Sequence, residues 1–288
     1  MTILAIALGV SIVLVAGFFW LNRPQLVRID AALPDVFPTD GFSHALLEQL
    51  LERYVDADGN VNYDDWHGSR GDRQALDRYL AAVAQFSPES SPNRFPRRSD
   101  ALAYWLYGYN AYVIRSVLQH WPLDSVTDVK APIEAVRGLG FFYRQRFLFG
   151  GKALSLYAVE HEKILEAYRD PRVHFVLNCA SESCPVLRPE LPTGDELETL
   201  LASATAEFVD DPHNVYIDHD KRQVVLSSIF RWYRNDFIND LRRRGLPTEH
   251  GVIDYIADAA APPLREALRK AADYEVVFED YDWTINSQ

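Results

Sequence analysis

The sequence predicts an α+β fold in which helices pack on one small, mainly antiparallel sheet, preceded by a single N-terminal transmembrane helix. Three observations carry that expectation. Stretches with apolar residues at helical spacing are mixed with hairpins, without the strict βαβ rhythm of a parallel sheet. The 288 residues are 48% hydrophobic and 12% aromatic, ample material for a packed core. Thr2 to Leu21 contains no charged residue and is mostly apolar.

At about 1.5 Å per residue, Thr2 to Leu21 reaches about 30 Å, the thickness of a hydrocarbon core. Trp20 suits the membrane–water interface. A cleaved signal peptide fits less well, because no Lys or Arg precedes the run and Ala16 lacks a small partner two residues earlier. The reading is a single-pass membrane protein. Arg23 and Arg28 favour a cytoplasmic domain only weakly, and the folded part is placed on the extracytoplasmic, periplasmic side.

Residues 23–42 contain Pro24, Pro34 and Pro38 and read as a tether after a membrane or signal anchor over 1–22. One domain is expected over 43–286. Ser43 caps a helix to Tyr54, with Leu46, Leu47, Leu50 and Leu51 on one face. Asp56 to Asn60 is a turn. It lacks the closing glutamate of a calcium loop. Arg73 to Phe86 is a second amphipathic helix, ended by a proline-broken loop. Ser99 to Trp121 is the strongest helix, stopped by Pro122, and places Asn110 among aromatics. A mid-helix amide there needs partners, either in the core or at the cysteine-bearing turn.

Alternation around Gly150-Gly151 predicts a hairpin. Ser155 then caps a helix that carries Glu160, His161 and Glu162. Neighbours on a helix point about 100° apart, so Glu160 does not orient His161; Tyr157 and Leu165 share the histidine's face. A helix from Thr193, a hairpin over Val215 to Leu226, a short aromatic helix, two further helices and a last strand follow. No internal repeat or phosphate-binding glycine loop is present, and the sequence points to no cofactor.

A formal net charge of -12 argues against a nucleic-acid partner, whose phosphates demand a basic face. Chemistry concentrates instead at VHFVLNCASESCPVL, Val173 to Leu187, which holds both cysteines. An apolar run delivers Cys179 and Cys184 into a turn, with His174 five positions before the first and Pro185 directly after the second.

Separated blocks resemble the DUF547 family, a domain of unknown function. They are YVDADGNVNYDDW, YWLYGYNAY, LSLYAVEHEKIL, DPRVHFVLNCASESCPVL, LSSIFRWYRNDF and YDWTIN, and they run in the family's order from about Ser43 to Asn286. The helix departs from the family's FWINAYNA pattern, with Leu106-Tyr107-Gly108 in place of Ile-Asn-Ala, yet Asn110 is kept. The resemblance implies recurring polar positions at Glu160, His161, His174, Cys179 and Cys184. Relatives fused to glutaredoxin-like or signalling modules imply thiol chemistry or scaffolding.

The leading functional expectation is a thiol-dependent hydrolase or acyltransferase. Cys184 is its nucleophile, His161 or His174 lowers the thiol's pKa from about 8.5, and Glu160 or Asn110 supports them. The alternative is a non-catalytic domain for a protein or peptide partner, its cysteines closed in a structural disulfide. Trp232, Tyr233, Phe237, Tyr281 and Trp283 would supply its surface. Zinc on His174, Cys179, Cys184 and His161 suits the residue types, but the spacing matches no common finger or ribbon.

Overall fold

The computed structural model describes residues 15–288, and residues 15–21 are helical. Ten α-helices follow among the described residues: α1 (Ala45–Tyr54), α2 (Tyr63–Gly68), α3 (Arg70–Gln85), α4 (Arg98–His120), α5 (residues 156–168), α6 (Glu196–Asp210), α7 (Ser228–Trp232), α8 (Arg234–Arg244), α9 (Val252–Ala259) and α10 (Pro262–Lys270). The middle of α5, Val159–Leu165, is wound as a π-helix. The strands are β1 (Gln25–Leu26), β2 (Gln145–Phe149), β3 (Lys152–Leu154), β4 (Val215–Asp218), β5 (Gln223–Leu226) and β6 (Glu275–Phe278).

The expected single sheet is replaced by two three-stranded sheets, each mixed. In the first, β1 runs parallel to β2 and β3 returns antiparallel; in the second, β4–β5 is antiparallel and β6 joins β5 in parallel. Both hairpins are found where the alternation placed them. The parallel partners come from distant parts of the chain, which local periodicity does not reveal. The expected transmembrane helix is also corrected: among the described residues no helix is long and apolar enough to cross a membrane. Most of the stretch that suggested it, residues 1–14, lies outside the described residues.

The core forms around α4. Sixteen of its residues between Leu102 and Leu118 are buried, so this helix is covered on all sides rather than along one stripe. Its start is set by Asp100, whose carboxylate accepts the Arg97 N–H at 3.2 Å and pairs with the Arg97 guanidinium. The helix therefore opens one residue before Ser99, with Arg97 at its cap. Against α4 pack α3, the π-helical stretch and β2, through Tyr79, Val83, Phe147 and Phe149. Gly108 lets Phe149 approach to 3.1 Å from where a Cβ would stand, which accounts for a small residue in an otherwise aromatic helix.

Ser69 and Ser155 cap α3 and α5 by accepting the Asp72 and Ala158 N–H groups. The tight loop between β2 and β3 has positive φ at both Gly150 and Gly151, as a two-residue hairpin turn requires. The apolar run before the cysteines begins in a 3₁₀-helix, Pro171–Phe175, started by the Asp170 side chain.

Candidate active site

Residues 176–187 form an irregular loop held from three sides. Asn110 on α4 donates to the Val176 carbonyl and accepts the Asn178 N–H, both at 3.0 Å. Asn178 in turn donates to the Pro185 carbonyl at 2.8 Å and accepts the Ala180 N–H at 2.8 Å, with Ala180 held at φ 62°. The C-terminal segment closes the third side: Ser181 pairs with Ile285, and the Glu182 N–H donates to the Thr284 carbonyl. Asn110 is thus buried and satisfied, and its partners are the residues that lead into the cysteines.

This frame brings both cysteines together as free thiols at the wall of a cleft of about 360 Å³. The Cys184 sulfur accepts the Cys179 backbone N–H at 2.9 Å and the Ser181 hydroxyl at 3.4 Å. The Tyr281 hydroxyl lies 3.1 Å from the Cys184 sulfur and 3.2 Å from that of Cys179. Burial by itself pushes the Cys184 thiol up. Hydrogen bonds from Cys179, Ser181, Tyr281 and the Cys179 N–H outweigh it and bring the group down to about 6. The hydrogen bond to Cys184 and then burial push Cys179 the other way, well above its ordinary value. The backbone donor is aimed at Cys184 and not at Cys179, so it favours negative charge on Cys184.

Glu160, His161 and His174 line the same cleft, whereas Asn110 sits behind it. Glu160 accepts the Tyr233 hydroxyl at 2.5 Å and the Tyr109 hydroxyl at 3.5 Å. The π-helical turn carries Glu160 and His161 to the cleft together, a local departure often found at functional sites. The His161 ring stacks on Tyr157 at 3.8 Å, and its Nδ1 lies 3.1 Å from the Tyr157 carbonyl. A carbonyl only accepts, so Nδ1 carries hydrogen and the neutral ring keeps its lone pair on Nε2. His174 is buried, stacks on Tyr233 at 3.8 Å and points Nε2 at Asp236, 3.0 Å away.

Neither imidazole hydrogen-bonds to a thiol. The polar groups at the Cys184 sulfur are the Cys179 N–H and the Ser181 and Tyr281 hydroxyls, where the sequence suggested a histidine. Of the aromatics expected at a partner surface, Trp232, Tyr233, Tyr281 and Trp283 line the cleft, while Phe237 is fully buried in the core. Ser181, Tyr109 and Asp236 were not singled out in the sequence, whereas Tyr157 was placed on the histidine's face, where it stacks. Ser181 lies inside the cysteine stretch and was open to inspection; Tyr109 and Asp236 meet the site only through tertiary folding. Among the described residues, no group of three or more His, Cys, Asp or Glu is placed to hold a metal ion. Asp56 accepts the Asp58 and Asn60 N–H groups, so it organises a turn.

Fold and cleft together define a mixed α+β protein with a paired-cysteine site. Residues 93–209 match the model of the family described as protein of unknown function, DUF547, and the resemblance read from the sequence blocks holds over that range. The match takes in Asn110, Glu160, His161, His174, Cys179 and Cys184; Tyr233, Tyr281 and Trp283 lie beyond it. No curated protein and no solved structure matches the chain.

Proposed function

We propose that the cleft is a thiol-dependent acyl-transfer or hydrolase site with Cys184 as nucleophile. The observation that carries this reading is the set of donors on its sulfur: a backbone N–H and two hydroxyls, at the edge of a cleft that also holds histidine and carboxylate. A thiolate is the nucleophilic form of cysteine, and stabilising it near neutral pH is what such chemistry needs.

In the proposed reaction the Cys184 thiolate attacks an acyl carbon and forms a thioester. The bond to the leaving group breaks, and that group takes its proton from Nε2–H of His161 in its protonated form, which the next step restores. Water or another acceptor then attacks the thioester, giving its proton to Nε2 of His161 and releasing the Cys184 thiolate. Acylation frees the Tyr281 and Ser181 hydroxyls from the sulfur's charge. They are then donors beside the developing oxyanion. Asn110 serves as a positioning residue.

The test is incubation with an activated ester such as p-nitrophenyl acetate, followed by acid quench and peptide mass analysis. An acetyl group on Cys184, absent in Cys184→Ser, supports the reading. A folded protein with no adduct and no turnover on a panel of esters and thioesters removes it.

One observation favours a second reading, a structural disulfide. Both sulfurs contact the same Tyr281 oxygen, at 3.2 and 3.1 Å, which puts the two thiols side by side at one point of the cleft. Acid-quenched protein from its native compartment that is two hydrogens lighter, and resists alkylation until reduced, supports that reading instead.

A further inference from the structure

Glu160 is a carboxylate without a cation. Its two contacts are the phenols of Tyr233 and Tyr109, and among the described residues it forms no ion pair. A carboxylate offers about four lone-pair directions, so two phenols leave acceptor capacity for a ligand in the cleft.

The lining around it is aromatic. Tyr143 stacks on Tyr157 at 4.4 Å, and Tyr157 on His161 at 3.8 Å. Trp232, Tyr281 and Trp283 form a second group, with centroids 4.6 to 5.9 Å apart. Phe142, next to Tyr143 in the chain, meets Trp283 at 6.4 Å, and both groups line the one cleft. Aromatic faces carry negative potential and attract cations, the more so where water is displaced. Among the described residues the one Arg or Lys that lines the cleft is Arg137, which is exposed and therefore screened by solvent and salt.

We infer that this cleft holds a subsite for a primary alkylammonium group, the type of head borne by a lysine side chain or a polyamine. Glu160 accepts its N–H bonds, and the aromatic faces surround its charge and the first methylenes. A primary ammonium fits better than a quaternary one, because only N–H donors use the free carboxylate lone pairs. The inference rests on the thiol reading only in assigning the ammonium to a substrate or acyl acceptor. Binding itself does not require the thiol.

The experiment uses full-length Cys184→Ala, titrated with n-butylammonium, n-butanol and n-butyrate at low salt. Tryptophan fluorescence and calorimetry report binding. The expected order is butylammonium at least about tenfold tighter than butanol, as one charge-assisted hydrogen bond implies, with butyrate weakest. Glu160→Gln is expected to remove the advantage over butanol. Equal affinities, a preference for butyrate through Arg137, or no saturable response to butylammonium overturns the inference. The ligand ranking uses protein with Glu160 intact, so it decides the matter even if Glu160→Gln fails to fold. Without a thiol at position 184, failure here counts against the ammonium subsite alone. Failure of acyl-adduct formation in the unsubstituted protein counts against the thiol reading alone.

Discussion

The backbone N–H of Cys179 donates to the Cys184 sulfur at 2.9 Å, so the main chain of one cysteine helps to hold the charge of the other. A thiolate stabilised in this way depends on the loop that aims the donor, and that loop depends on Asn110, Tyr281 and Gly59.

Tyr281→Phe removes a hydroxyl from both sulfurs but keeps the ring against Trp232 and Trp283. A hydrogen bond to a charged group is worth about 1.5–3 kcal/mol, so the Cys184 titration is expected to rise by about 1–2 pH units. Stability near neutral pH should fall with it, since the lowered thiol pKa contributes there. Thiol alkylation followed against pH measures the shift, and an unmoved midpoint contradicts the role given to Tyr281.

Asn110→Ala leaves the Val176 carbonyl and the Asn178 N–H without their partner inside the protein. The expected cost is about 1–3 kcal/mol in urea unfolding, together with slower alkylation of Cys184 as the loop loosens. Unchanged alkylation in a destabilised protein would limit Asn110 to a core role.

At Gly59, φ is 86°, and an added Cβ would stand 2.8 Å from the Leu187 nitrogen and 3.1 Å from the Val186 Cα. Those are backbone atoms of the segment that follows Cys184, so relief requires the loop to move. Gly59→Ala is expected to cost about 2 kcal/mol or more, since the left-handed conformation alone costs about 1–2 kcal/mol. A stability loss under about 0.5 kcal/mol in urea would refute the close approach.

Two groups destabilise the fold toward acid, in different windows. Cys184 has its pKa lowered to about 6, so its contribution is full above the unfolded value of about 8.5 and is lost as pH falls through about 6. His44 is buried against the Tyr79 hydroxyl at 2.8 Å; burial lowers it to about 3, opposed by Asp100. The unfolded chain takes up that proton below about 6.5 and the folded one does not, so stability falls by about 1.4 kcal/mol per pH unit down to about 3. Cys184→Ser should flatten the upper window and leave the lower one. Urea midpoints from pH 3.5 to 9 test both limbs.

Much of the local structure was legible because it is written in local signals. Ser155 caps a helix, the glycine pair turns a hairpin, and leucines at helical spacing mark a buried face. The cysteine stretch likewise announced itself by residue type. The parallel pairing of β6 with β5 and of β1 with β2 was not legible, since it joins strands far apart in sequence. Tyr281 reaches the sulfurs from about a hundred positions away for the same reason. The source of the Cys184 charge was misread because residue types suggested a histidine partner, whereas a backbone N–H leaves no trace in composition.

The central claim is that Cys184, and not Cys179, is the thiolate. Iodoacetamide labelling of the full chain from pH 4.5 to 10, quantified for each cysteine by peptide mass analysis, tests it directly. The account predicts that Cys184 reacts first, with a midpoint near about 6, while Cys179 stays slow until well above about 8.5. Two cysteines titrating together near about 8.5, or Cys179 reacting ahead of Cys184, would contradict it.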